Sequence, residues 1–316
     1  PAVGRSSGHH RAGHRHLRRF FAAAMSEAIG VIGLGLVGRA LAARLASAGF
    51  TPVGFDHAEA ARAAWREAGH MLADSPAAIG ARCARVVLAV FDTSGVLDVT
   101  EGRNGLLQGG AVRAIVDCST GDPDRLQALA GRLAARGIHF IEAPLSGSSQ
   151  QIGAGAATLL LGADAAALEA HADLLGAITA QRVHVGGAGM GARAKLATNL
   201  VLGLNRAALA EGMVFAERLG IDPAAFLQLV LATPARSDAA LAKGAMMVAG
   251  DFSVPQSRVR QHLKDLELML DQAAAAGQRL PLTASHAALL RAAVAAGDGE
   301  LDNAAVLLQV RRETKA

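Results

Sequence analysis

The sequence predicts an α/β protein, an N-terminal doubly wound parallel sheet followed by an all-helical C-terminal domain. Three observations predict it. Short, continuous apolar runs alternate with Ala- and Leu-rich helical stretches between residues 28 and 185, as expected of parallel strands covered on both faces. A glycine-rich turn closes the first run and opens the first helix. Beyond Gly186 the strand-like runs stop, and helical segments follow, punctuated at Gly220, Asp222, Pro223, Pro234, Gly250, Gly277, Pro281, Gly297 and Gly299.

Taken in order, residues 28–33 (AIGVIG) form the first strand, and a helix runs from there to Gly49. Residues 51–56 (TPVGFD) form a second strand ending in an acid, followed by a helix over 59–68. Residues 86–91 (VVLAVF) and 114–118 (AIVDC) have the unbroken hydrophobicity of buried parallel strands. A helix over 123–137, a strand over 138–142 and two more strands at 158–161 and 182–185 complete the alternation. The expected divisions are an N-terminal extension (1–27, disordered or spurious), a dinucleotide-binding domain (28–187) and a helical substrate and oligomerisation domain (188–316).

The composition excludes several classes. At 316 residues the chain is long enough for two domains. No apolar run approaches the roughly 18 residues needed to span a bilayer, so no membrane partner is expected. The formal net charge of +4 suggests nucleic acid only until it is located. With the five arginines of residues 1–24 set aside, 26 basic residues face 27 acidic ones. A polyanion footprint would persist on the folded body, so no nucleic acid is expected. Cys83 and Cys118 form no CxxC and read as reduced small hydrophobes in a cytoplasmic setting. No metal site is expected.

Gly33-Leu34-Gly35-Leu36-Val37-Gly38 fits GxGxxG between a strand and a helix. The first glycine permits the turn, the second admits a pyrophosphate, and the third lets helix and strand pack closely. Asp56 ends the next strand, placed to accept from ribose hydroxyls and to repel a 2′-phosphate, which favours NAD over NADP. Ser146 and Gly147 follow a strand end, where a hydroxyl and open backbone N–H groups could meet a carboxylate; alone, the segment reads as a loop. Lys195 and Asn199 share a helix face at i, i+4, just after a run of glycines. A lysine near a helix N-terminus among apolar neighbours has reason for a lowered pKa; in isolation it would read as solvated. Leu196, Leu200, Leu204 and Ala208 are expected to form the apolar stripe of that helix.

These motifs occur in order with Asp117-Cys118-Ser119-Thr120, Glu142-Ala143-Pro144-Leu145-Ser146-Gly147 and Leu263-Lys264-Asp265-Leu266. Together they resemble the 3-hydroxyisobutyrate dehydrogenase, or β-hydroxyacid dehydrogenase, family over essentially residues 29–310. The resemblance implies a Rossmann domain, an active site in the cleft before the helical domain, and hydride transfer between NAD(P) and a small 3-hydroxy acid or its semialdehyde. It implies Lys195 as the catalytic acid/base, with Asn199, Ser146 and Gly147 holding substrate. Ser148, where the family has a second glycine, is grouped with them. Phe91, Thr120 and Lys264 match cofactor contacts; read alone, Lys264 is a helix lysine paired with Asp265. A homodimer or homotetramer is implied.

The chain departs from the family at Ser148, at Thr198 in place of an asparagine, at Asp92 in place of a proline-like position, and at Glu142 in place of an aspartate. These positions touch the substrate side, so the acid's identity stays open. Two other readings stand beside this one. Imine reductases share the fold but generally lack the lysine. A non-catalytic, dehydrogenase-like nucleotide-binding module would lose the lysine or add a reader domain.

Overall fold

The computed structural model describes residues 26–313. Nine strands form one sheet: β1 (Ala28–Ile32), β2 (Thr51–Phe55), β3 (Met71–Leu72), β4 (Arg85–Leu88), β5 (Ala114–Asp117), β6 (His139–Glu142), β7 (Leu145–Ser146), β8 (Thr158–Gly162) and β9 (Arg182–Gly186). Their order is β3-β2-β1-β4-β5-β6-β8-β7, with β9 on β8. Strands β1 to β6 pair parallel, and the ends of β1, β2, β4, β5 and β6 come into register through Ile32–Phe55, Ile32–Leu88, Leu88–Asp117 and Asp117–Glu142. That shared carboxyl edge is where such sheets bind ligands.

Helices α1 (Leu36–Ser47), α2 (Glu59–Glu67), α3 (Pro76–Arg82), α4 (Thr93–Glu101), α5 (Pro123–Ala134), α6 (Ser149–Gly153), α7 (Ala165–Ala170) and α8 (Ala172–Ile178) connect the strands. Local chemistry starts several of them. Ser75 and Asp122 cap α3 and α5, accepting from Ala78 N at 3.1 Å and from Asp124 N at 2.9 Å, each with proline at the first position. Buried apolar side chains of β1, β4 and β5 fill both faces of the sheet, with Leu41 and Leu45 of α1 on one side and Leu126 and Leu129 of α5 on the other.

The sheet is not wholly parallel. Strand β8 runs antiparallel to β6 and to β7, which prolongs β6 beyond Ala143 and Pro144. An apolar run states burial but not direction, so the sequence could not reveal this reversal. Ser26 and Glu27, placed by the sequence in the extension, are tied to the body: Thr51 N donates to the Glu27 carbonyl at 2.9 Å, and Arg85 Nε to its carboxylate at 2.8 Å. The rest of the expected extension lies outside the described residues.

After β9 the chain enters α9 (Met190–Arg218), a 29-residue helix, then α10 (Pro223–Ala232), α11 (Asp238–Ala249), α12 (Val259–Ala275), α13 (Pro281–Ala295) and α14 (Val306–Glu313). Asp222 and Ser237 cap α10 and α11. Leu209, Met213, Leu266, Met269, Leu290 and Leu307 form a second core around α9. The predicted stripe differs from the observed one. Leu196 is buried, Leu200 and Leu204 are half-buried and Ala208 is exposed, whereas Lys195, Asn199, Gly203 and Arg206 point inward. Two of these polar groups have partners on other elements, Lys195 on the Leu145 carbonyl of β7 and Asn199 on Asp265 of α12. No helix among the described residues is long and apolar enough to cross a membrane.

Candidate active site at the junction of sheet and helices

The glycine turn is built by close approach. Gly33 has φ +92°, and a Cβ there would meet Ala89 O at 2.3 Å; one on Gly38 would meet Gly33 O at 1.7 Å. Gly35, in contrast, has nothing within 4 Å of a built Cβ, and it caps α1 without a side-chain bond. The turn is thus packed behind and open in front. Leu36 and Val37 begin the helix, so its first N–H groups face the open side. Asp56 braces the turn: its carboxylate accepts from Leu34 N at 2.7 Å and from Ala58 N at 2.8 Å. Arg62 donates to the carbonyls of Asp56 and His57 and pairs with Glu59. These features fit a dinucleotide pyrophosphate.

At the same sheet edge lie Phe91 and Thr120. Lys264 of α12 donates to the Phe91 carbonyl at 2.9 Å and the Thr120 carbonyl at 2.7 Å, and lies 3.0 Å from Asp265 Oδ1. The simple ion pair and the cross-domain contact therefore coexist. The Phe91 ring is about half exposed, with Lys264 Nζ 5.5 Å from its centroid.

Lys195 sits in the second turn of α9, buried, its Nζ donating to the Leu145 carbonyl at 2.6 Å. Burial pushes its ammonium down to about 8, opposed by Asp265 and assisted by the positive charges of Lys264 and Arg206. Asn199, one turn on, donates to Asp265 Oδ2 at 3.3 Å. Ser146 ends β7 beside Leu145, and Gly147 takes φ +152°, where a Cβ would lie 2.8 Å from that of Ala157. Ser148 is the N-cap of α6, its hydroxyl accepting from Gln151 N at 3.3 Å while Gln151 Oε1 accepts from Ser148 N at 2.8 Å. Thr198 bonds back to the Ala194 carbonyl and faces outward.

Two residues of this junction have roles that sequence reasoning does not assign to them. Asp265 reads there only as a partner of Lys264, yet it orients Asn199. Glu142 reads as a substrate-side departure from the family, with no role in holding α9, yet it anchors that helix: its carboxylate accepts from Gly189 N and from Ala192 N at 3.3 Å. Gly162 and Gly191 make its room, since a Cβ on either would lie within 2.8 Å of the Glu142 side chain. Burial pushes the Glu142 carboxyl up to about 7, Gly189 N–H pulling it down and neighbouring Asp117 raising it. Burial likewise pushes Asp117 to about 6. Among the described residues no group of three His, Cys, Asp or Glu side chains could hold a metal.

Comparison with known proteins agrees with this geometry. The family model for the NAD-binding domain of 6-phosphogluconate dehydrogenase matches residues 28–187, and that for the NAD-binding region of NADP-dependent 3-hydroxyisobutyrate dehydrogenase matches 189–310. The chain is 32% identical to L-threonate dehydrogenase of Cupriavidus necator over 90% of this chain and 96% of that protein. It is also 32% identical to 2-(hydroxymethyl)glutarate dehydrogenase of Eubacterium barkeri, over 88% and 93% respectively. The crystal structure of 3-hydroxyisobutyrate dehydrogenase from Salmonella typhimurium superposes with a TM-score of 0.80 at 26% identity, covering 89% of this chain and 99% of that one.

Proposed function

Because the chain belongs to the 3-hydroxyisobutyrate, or β-hydroxyacid, dehydrogenase family and is an NAD(P)-dependent oxidoreductase, we propose that it oxidises a small 3-hydroxy acid, or reduces its semialdehyde, with Lys195 as acid/base. The observation that carries this reading is a buried lysine, its pKa brought to about 8, beside a carboxylate-braced asparagine at the open sheet edge. The dinucleotide, when bound, takes up or supplies the hydride.

Lys195 Nζ holds or accepts the substrate oxygen's proton. A pKa near working pH serves both directions, and burial tunes it without a permanent acidic partner. Asn199, turned by Asp265, orients the same oxygen. The Ser146 hydroxyl and the backbone at Gly147 receive the substrate carboxylate, while Ser148 contributes the turn that presents them. The 33–38 turn, Phe91, Thr120 and Lys264 hold the dinucleotide, and Lys264 draws the helical domain onto the sheet. Asp56 supports a preference for NAD: a 2′-phosphate would meet its charge, and the neighbouring Arg62 is engaged by Glu59. The exposed Val201 and Phe215 of α9, with Leu219 at its C-cap, support a homo-oligomer formed through the helical domain.

A panel of short 3-hydroxy acids and semialdehydes, followed by absorbance of reduced cofactor, tests the reading. Turnover of at least one member is expected; none on any, with cofactor bound, would overturn it.

A further inference from the structure

We propose that Arg206, with His262 and His286, forms a subsite for a second anionic group of the substrate, a carboxylate distal to the one held at Ser146 and Gly147; this rests on the reading above. Lys195, Asn199, Gly203 and Arg206 succeed one another down a single buried face of α9. Beneath the reacting end of the cleft, therefore, the same stripe leads directly to a guanidinium. Two helices complete the cluster. His262 of α12 and His286 of α13 are buried with their ring centroids 5.2 Å apart, and a Cβ on Gly203 would lie 2.5 Å from His262 Nε2 and 3.3 Å from His286 Cε1.

These groups lack partners. Arg206 Nε and Nη1, His262 Nε2 and both ring nitrogens of His286 are buried without a hydrogen bond, nearly half of the eleven such side-chain atoms among the described residues. Buried polar atoms are ordinarily paired, and a concentration of exceptions calls for a ligand. The charge balance indicates its sign. Asp302 is the acid whose charge reaches Arg206, but its oxygens are committed to Lys243 Nζ at 2.7 Å, Gln256 N at 2.8 Å and Ala304 N at 2.9 Å. Asp265 is likewise engaged by Asn199 and Lys264. The guanidinium is thus a buried cation with no anion of its own, a costly arrangement in a protein interior.

Burial also holds both imidazoles neutral, His262 well below its usual value and His286 at about 4. Each then offers one N–H and adds no positive charge. The positive charge of Lys195 contributes to the depression at His262, and that of Arg206 to the depression at Lys195. Reaction centre and subsite are therefore electrostatic neighbours on one face of α9. Because the imidazoles close on Gly203, the distal carboxylate enters by turning them aside. The arginine then meets it with a forked pair of donors.

Calorimetry on the full chain with oxidised cofactor, using glutarate and butyrate as unreactive probes, separates the possibilities. Glutarate is expected to bind about 10- to 100-fold more tightly, the value of a charged hydrogen-bond pair, and Arg206→Met is expected to erase that difference. Equal affinities, or a preference surviving in Arg206→Met, would overturn the subsite. Should Arg206→Met not fold, Arg206→Lys keeps the charge without the fork and should lose part of the preference; an unchanged preference there counts against the proposal. In parallel, 3-hydroxyglutarate is expected to exceed 3-hydroxybutyrate in kcat/KM, and Arg206→Met to lower the first about tenfold more than the second. A chain that turns over neither compound nor any other hydroxy acid refutes the dehydrogenase reading, whereas the calorimetric comparison still decides the subsite.

Discussion

The two halves of the candidate site are made of different material. On the sheet side, recognition is written in backbone: glycines packed against carbonyls at 1.7–2.3 Å from a notional Cβ, and an aspartate holding the turn by its N–H groups. On the helical side it is written in buried charge: Lys195, Arg206, Lys243, Asp265 and Asp302 all lie inside. Backbone recognition adds little to the cost of folding, because the turn needs no desolvated ion. Buried ions do cost stability unless matched, so the helical side accepts instability where chemistry requires charge. Position matters more on one side, protonation state on the other.

The sharpest way to break this comparison is to remove the lysine. Lys195→Ala is expected to lower turnover about 10²–10⁴-fold while leaving dinucleotide affinity nearly unchanged, since the two sites use separate elements. Lys195→Arg should fail equally, because a guanidinium stays protonated. Steady-state rates beside a fluorescence titration with NADH check both halves; a cofactor affinity that falls with the rate would mean the halves are one unit. On the proposed reading, the same lysine is expected to set the pH response. Oxidation needs it neutral, so its rate should rise through about pH 8; reduction needs it charged and should fall through about pH 8. For stability the sign is also fixed. The folded value lies below the ordinary 10.5, so the unfolded chain binds more protons between them, and stability contributed by this group rises with pH across that interval.

What the sequence reveals follows the same division. The glycine turn, Asp56 and the strand–helix alternation are local patterns, and each is legible. Lys195 and Asn199 emerge from spacing and from resemblance. Glu142 and Asp265 do not, because they act on α9 from strand and helix positions 47 and 66 residues away. Strands β3 and β7 are two residues long, too short for any periodicity. The apolar stripe drawn through Leu204 and Ala208 fails for a related reason: partners distant in sequence, Leu145 on β7 and Asp265 on α12, receive Lys195 and Asn199 on the inward side of α9.

Two substitutions sharpen the contrast at lower amplitude. Glu142→Ala removes the acceptor for Gly189 and Ala192 and should cost about 1–3 kcal/mol, the penalty of unsatisfied buried donors; a denaturant titration measures it, and an unchanged midpoint would mean α9 needs no anchor. Gly35→Ala meets no atom in the free protein, so its melting temperature should hold while the dinucleotide dissociation constant rises by about tenfold, or 1.4 kcal/mol. Gly38→Ala, facing Gly33 O, should instead lower the melting temperature. If both alanines behaved alike, the turn would not have a packed back and an open front.

The smallest effect is expected at Ser148, where the comparison is most exposed to error, because the family resemblance groups this residue with substrate binding whereas the structure has it capping a helix. Its hydroxyl and the Gln151 side chain satisfy each other's neighbouring N–H groups, so Ser148→Ala removes half of a capping box. Loss of an N-cap costs about 0.5–2 kcal/mol; α6 has only five residues, and much of that loss should remain local to the 146–153 segment. Asp caps as well as Ser does, so Ser148→Asp should recover the stability. The two variants then separate the roles. If Ser148 acts only by shaping the turn, KM for the hydroxy acid should follow stability, rising slightly in the alanine variant and returning in the aspartate variant. If its hydroxyl instead touches the substrate carboxylate, aspartate would place a negative charge against it, and KM should climb far above that of the alanine variant while the fold stays intact. The bonds at Gln151 favour the first outcome, with a KM ratio between the two variants close to one.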